Sequence, residues 1–247
     1  MKKVNSLEKP QLSLVIPAYN EEDHIALTIE KTDRIMEEIG VEYEIIVVND
    51  GSRDETGFRI LECAHDNGHL KVVSYYKNMG KGYAVKVGFS SAIGDSVIFI
   101  DGDLEIDPDQ IKKYIEALES GDIVIGSKRH PDSIVEASVL RRFLSWGFNS
   151  LVRLMTGLRL SDTQSGLKAV RRENLEKVFP MLFVKRFAFD VELLAVANLY
   201  GLKIVEMPVN IRLGNSFFHP REIFRMFVDL LGITYRLRIK KDYLRSA

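Results

Sequence analysis

The sequence predicts an α/β fold: a mostly parallel sheet flanked by helices, followed by a C-terminal amphipathic helical extension. Two observations predict it. Through the first half, strand-length apolar runs alternate with helical periodicities, an order that requires parallel strands joined by crossover helices on both faces. Three polar clusters directly follow three of those runs, and in such sheets ligands collect beyond the carboxyl ends of the strands.

Taken in order, Leu12-Ser-Leu-Val-Ile-Pro17 is a compact apolar run closed by proline, the form of a buried parallel strand. A polar helix is expected from about Glu21, with Ile25, Leu27, Ile29, Ile35, Met36 and Ile39 on its inner face. Tyr43 to Val48 is the second strand, ending at Asn49-Asp50-Gly51-Ser52. A helix from Asp54 to about His65, a strand at Val72-Val73, a helix from Gly80 to Ala92 and a strand from Ser96 to Ile100 continue the alternation. Helix Pro108 to Leu118 and strand Asp122 to Ile125 complete it.

From about Ala137 the character changes. Ala137 to Leu160 carries Arg141, Arg142, Arg153 and Arg159 but no Asp or Glu, and its apolar residues recur at roughly helical spacing. A helix near 190–200 and a strand near 203–209 follow, and from Pro220 the chain is amphipathic and basic. The organisation expected is a polar tail over 1–11, one domain over 12–214 and a basic amphipathic helix over 215–247.

A chain of 247 residues, 46% hydrophobic and 28% charged, suits a globular protein with a sizeable core. Lys+Arg is 34 against Asp+Glu 35, so no overall positive field recruits nucleic acid. The single Cys63 excludes an internal disulfide and suits a reducing compartment. The N-terminus lacks the apolar stretch of a signal peptide. No run approaches the roughly 18 apolar residues of a membrane span. The expected location is therefore cytoplasmic or peripheral on the cytoplasmic face of a membrane.

Asp101-Gly102-Asp103 carries the clearest chemistry. Two carboxylates one residue apart at a strand end suit Mg²⁺ or Mn²⁺, which take oxygen ligands from one or two carboxylates plus substrate phosphates. Such an ion assists departure of a nucleoside diphosphate. Gly102 is expected to let the backbone turn and to leave room for a phosphate or sugar, and Glu105 to add a third oxygen ligand. An Asx-type turn is the plainer alternative for Asp-Gly. Asp50 is expected to accept from a base N–H or a ribose hydroxyl. Pro17, Ala18, Tyr19 and Glu21 form the opposite wall, with Tyr19 against the base and Glu21 near the ribose. Lys77 to Gly82, including Lys81, is glycine-rich and basic at a helix start and reads as a phosphate-side or sugar-side wall.

Pro17-Ala-Tyr-Asn-Glu-Glu22, Asn49 to Thr56, Asn78-Met-Gly-Lys-Gly82 and Asp101-Gly-Asp103 resemble glycosyltransferase family two, of Rossmann-like GT-A fold. Gly126-Ser-Lys-Arg129, Arg141-Arg142, Asp162 to Lys168 and Phe187-Ala-Phe-Asp-Val-Glu192 narrow the resemblance to the dolichyl-phosphate sugar synthases, nearer the glucose-transferring branch than the mannose one. The resemblance runs from about Leu12 to Gly214. It implies a nucleotide-sugar half over about 12–126, an acceptor half over about 127–214, and inverting transfer from a nucleotide sugar to a polyprenyl monophosphate. By motif match, Arg129, Arg141, Arg142 and Arg212 would grip the acceptor phosphate, while Asp162, Gln164 and Ser165 would line the sugar side. Asp190 stands where relatives with hydroxyl acceptors have a general base; here it is expected either to be that base or to orient substrate. Asn49 departs from the aspartate of many relatives, and Ser216-Phe217 departs from the Ser-Lys pair of the mannose branch.

The acid-free segment and the basic C-terminus are expected to lie on a membrane surface beside the lipid acceptor, or alternatively to pack on each other or across a dimer. UDP-glucose is the favoured donor. A GDP-mannose enzyme, a transferase to a hydroxyl using Asp190, and a nucleotide-sugar-binding protein without turnover are the alternatives.

Overall fold

A computed structural model describes residues 9–213 and 220–245. Its central strand β1 (Leu12–Ala18) turns Leu12, Leu14, Ile16 and Ala18 to one face and Val15 to the other. Both faces are buried, as the apolar run requires. Next come α1 (Ile25–Ile39), β2 (Tyr43–Asn49), α2 (Thr56–Asp66), β3 (Leu70–Ser74), α3 (Lys81–Ser91) and β4 (Ser96–Phe99). A 3₁₀ turn at Pro108–Gln110 leads into α4 (Ile111–Ala117), followed by β5 (Ile123–Ser127), β6 (Ile134–Glu136) and α5 (Val139–Thr156). Then follow β7 (Lys168–Arg171), α6 (Arg172–Val178), α7 (Phe189–Leu199), β8 (Ile204–Pro208) and β9 (Asn210–Arg212). Helix α8 (Pro220–Thr234) continues as a π-helical stretch, Tyr235–Lys240, and ends in α9 (Asp242–Arg245). The expected tail as far as Glu8, and Gly214, Ser216 and Phe217, lie outside the described residues.

Seven strands form one sheet in the order β3-β2-β1-β4-β7-β5-β8, and β6 pairs with β9 separately. Only β7 runs against its neighbours β4 and β5; the other pairs are parallel. The chain winds outward from β1 to β3, then returns to place β4 on the other flank of β1. The strand order reverses there, opening a crevice between the carboxyl ends of β1 and β4. One apolar layer packs α1, α2 and α4 side chains on Leu14, Ile16, Ile45 and Ile98. The other packs α3, α6, α7 and α8 side chains on Val15, Ile46, Val48 and Phe99.

The structure departs from expectation in physically simple ways. Helix α1 starts at Ile25, because the Glu21 and Glu22 N–H groups donate to Thr56 Oγ1 (2.7 Å) and Asp54 Oδ2 (3.3 Å) across the loops. Strands β6, β7 and β9 were not expected; β7 has only Ala169 and Val170 between two cations. Both halves of the domain share the sheet, since β7 and β8 extend it. Helices α5 and α8 pack together yet keep Val139, Phe143, Trp146, Phe224, Val228 and Leu231 exposed. No described helix is long and apolar enough to cross a membrane.

Candidate active site

Strand β4 delivers Asp101 to the crevice, where its carboxylate meets the Lys81 ammonium at 2.7 Å. Lys81 is the first residue of α3. Asp103 Oδ1 accepts from the Glu105 N–H at 3.0 Å, so the Asx-type turn is present within the acidic pair. Leu104 makes the tight bend, with φ 57°. The space expected beside Gly102 is filled by the protein: a Cβ there would lie 3.3 Å from both Pro17 O and Ile25 Cδ1. Close approach is needed instead at Gly166, where a Cβ would stand 2.5 Å from Asp101 Oδ2.

Negative charge is in excess at this turn. Burial, then the Asp101 charge, pushes Asp103 up to about 6. Burial, then Asp103 and Asp101, pushes Glu21 up to about 7. Burial opposes the charge on Lys81, yet the Asp101 and Asp190 carboxylates outweigh it and hold the ammonium protonated. Partly buried carboxylates that repel one another fit a hard divalent cation, which would remove that repulsion. Among the described residues no group of three or more His, Cys, Asp or Glu side chains is placed to hold a metal. A cation here would thus rest on Asp101 and Asp103 and draw its remaining oxygens from water and substrate. Glu105, expected as a further ligand, instead faces the Arg141 guanidinium at 3.2 Å.

Behind the acidic turn lies a narrow cleft of about 10 Å³, lined by Pro17, Lys81, Phe99, Asp101, Lys168 and Asp190 among others. Lys168 and Asp190 are both buried and paired at 2.9 Å, and Lys168 also donates to the Ser165 carbonyl. Asp190 sits in the first turn of α7, where a carboxylate is favoured by the helix dipole. Lys168 was assigned no role from sequence. A lysine at the head of a short strand, directly after a Gly-Leu pair, is the signal that marks it in hindsight.

The other expected residues fall into three groups. Tyr19 is exposed at the rim above buried Ala18. Asp50, expected to meet the base or ribose, is only 2% exposed. Its oxygens accept from Met79 N–H (2.7 Å), Gly80 N–H (2.9 Å) and Asn78 Nδ2 (3.0 Å), so it fixes the loop before α3. Asp162 is buried and paired with Lys128 at 2.7 Å; burial opposes its ionisation, but Lys128 outweighs that and holds it below the usual carboxylate range. Ser165 turns back onto Leu167, and Gln164 is half-buried. Of the four arginines, Arg141 reaches the acidic turn through Glu105. Arg129 donates to the carbonyls of Ser145 (2.9 Å) and Ser161. Arg142 is exposed, and Arg212, with its side chain 84% exposed, lies 3.5 Å from Glu136. Sequence reasoning also missed Glu206, which accepts from the Ser161 and Asp162 N–H groups and fixes that turn.

Residues 13–179 match the family model described as glycosyl transferase family 2. The dolichyl-phosphate beta-glucosyltransferase of Mus musculus is 34% identical over 81% of this chain and 67% of its own length. The dolichyl-phosphate beta-glucosyltransferase ALG5C of Trichomonas vaginalis is 33% identical over 92% of this chain and 71% of its own. Among solved structures, glucosyl-3-phosphoglycerate synthase from Mycobacterium tuberculosis in complex with UDP superposes with TM-score 0.69 and 22% identity. That match covers 92% of this chain and 79% of the other. The same enzyme with Mn²⁺, UDP and glucosyl-3-phosphoglycerate gives TM-score 0.68 at 21% identity, covering the same shares of the two chains. These structures share the fold.

Proposed function

This chain belongs to glycosyl transferase family 2 and is a glycosyltransferase, and we propose that it moves glucose with inversion from UDP-glucose to a dolichyl or related polyprenyl monophosphate at a membrane surface. The observation that carries the reading is the meeting of Asp101, Asp103, Lys81 and the Lys168–Asp190 pair at the β1/β4 crevice. The names of the curated relatives support glucose and the lipid phosphate. The UDP and Mn²⁺ complexes of the structural neighbour support the donor and the metal class.

In the reaction, the bond from the anomeric carbon to the donor diphosphate breaks, and UDP leaves with the electron pair. A bond forms on the opposite face from an acceptor phosphate oxygen. Asp101 and Asp103 would hold Mg²⁺ or Mn²⁺, whose charge when bound stabilises the departing diphosphate. Lys81 stays charged beside them and adds to that stabilisation. The acceptor is already an anion, so its attack needs alignment more than proton removal. Asp190, held by Lys168, accordingly orients substrate. Arg141, which reaches the acidic turn through Glu105, meets the acceptor phosphate, a group that guanidinium forks suit. The exposed apolar residues of α5 and α8 rest on the lipid surface, where such faces bind without spanning.

The test is transfer of label from UDP-glucose or GDP-mannose to polyprenyl phosphate, read by extraction into organic solvent. Label should pass from UDP-glucose. Passage from GDP-mannose alone would overturn the donor, and passage from neither would overturn the acceptor.

A further inference from the structure

A second cavity of about 270 Å³, open to solvent, is lined by Phe183, Val184, Lys185, Arg186, Asp229 and Arg236 and shares no lining residue with the crevice. None of the residues expected at the nucleotide, sugar or acceptor phosphate lines it. Its rear wall is rigid: buried Glu192 accepts from the Phe183 and Val184 N–H groups at 2.8 and 2.7 Å and pairs with Arg236 at 3.2 Å. The Lys185 carbonyl accepts from Tyr83 N–H at 3.0 Å, fixing the loop against α3. Neither Lys185 nor Arg186 forms an ion pair among the described residues, though the Lys185 ammonium lies 5.7 Å from the Tyr83 ring centre.

The charges and the surroundings identify a ligand. Three cations line the cavity against the single lining carboxylate of Asp229, and Arg236 is shared with buried Glu192, so the cavity is net positive. That charge suits a phosphate-bearing anion, and arginine is the side chain that best grips phosphate oxygens. Val228 and Tyr235, next in sequence to the lining residues Asp229 and Arg236, are exposed, and so is Phe183. The cavity therefore opens where apolar surface gives way to charge.

We propose that this cavity binds the phosphodiester headgroup of an anionic bilayer phospholipid and so fixes how the enzyme sits on the membrane. The proposal rests on the membrane-surface reading given above. It is tested by co-sedimentation at low salt with phosphatidylcholine vesicles, with and without phosphatidylglycerol. The parent is compared with the Lys185→Gln/Arg186→Gln double variant and with Phe224→Ser/Val228→Ser, after thermal melting has shown each to be folded.

The parent should bind better when phosphatidylglycerol is present. The double variant should lose that gain, by about fivefold for each charge removed, while the apolar variant weakens on both vesicles. If vesicles bind the parent and the double variant alike, the cavity assignment falls and the membrane reading stands. If neither vesicle binds the parent, both fall. Cholesteryl hemisuccinate at matched charge should not reproduce the gain; if it does, the cavity reads charge alone and the phosphodiester assignment is wrong.

Discussion

Asp103 is a carboxyl group that the fold makes difficult to ionise, and this has a measurable sign. Burial and Asp101 raise it to about 6 from the ordinary aspartate value of 3.8. A carboxylate with a raised folded pKa destabilises the fold wherever it is ionised: the penalty is full above pH 6, shrinks as pH falls through 6, and vanishes near 4. With divalent cations chelated, Asp103→Asn should therefore melt higher than the parent at pH 7.5 and converge with it toward pH 4. Adding Mn²⁺ should raise the parent's melting temperature and leave the variant's nearly unchanged. Lys168 gives a second prediction. Lys168→Met strands the Asp190 carboxylate in a buried site and should cost about 3–5 kcal/mol in denaturant unfolding. Lys168→Arg keeps the charge and should recover most of that loss and most of the transfer rate.

At the scale of elements, Glu192 decides how the C-terminal extension is attached. It is 0% exposed and also accepts from the Tyr243 hydroxyl at 2.5 Å, joining α7 to the stretch that follows α8. Glu192→Ala should destabilise the chain by about 3 kcal/mol or more, since Arg236 and two backbone donors lose their acceptor. Hydrogen exchange should quicken most across 235–244. None of this is legible in sequence, where Glu192 reads as an ordinary helical glutamate and its partners lie 44 and 51 residues away. Strands β1, β2 and β4 are legible because both their faces are buried and their apolar runs are unbroken. Strand β7 is not, because its ends are charged and its pairing is set by β4 and β5. The acidic turn is legible for the same reason as β4: a buried strand sets where its carboxyl end must fall. The roles of Asp50, Asp162 and Arg129 are not, because hydrogen bonds to distant loops decide which way those side chains turn.

Across the whole molecule, the topology gathers function onto one crevice and leaves two helices with uncovered apolar faces. The reversal of strand order beside β1 sets Asp101 next to the start of α3. Antiparallel β7 then carries Lys168 to the same cleft, beside Asp190 from α7. Residues more than 80 apart in sequence thus become one charged constellation, while α5 and α8 keep apolar residues exposed. The central claim is that Asp101 and Asp103 hold a divalent cation for a nucleoside diphosphate. Calorimetric titration of UDP into the parent and into Asp101→Ala, each with Mn²⁺ and with chelator, tests it most directly. The parent should bind UDP at least about tenfold more tightly with Mn²⁺, because the metal supplies several kcal/mol of charge stabilisation, and Asp101→Ala should show no such difference. Equal affinity of the parent with and without metal, or a metal effect that survives in Asp101→Ala, would contradict the account.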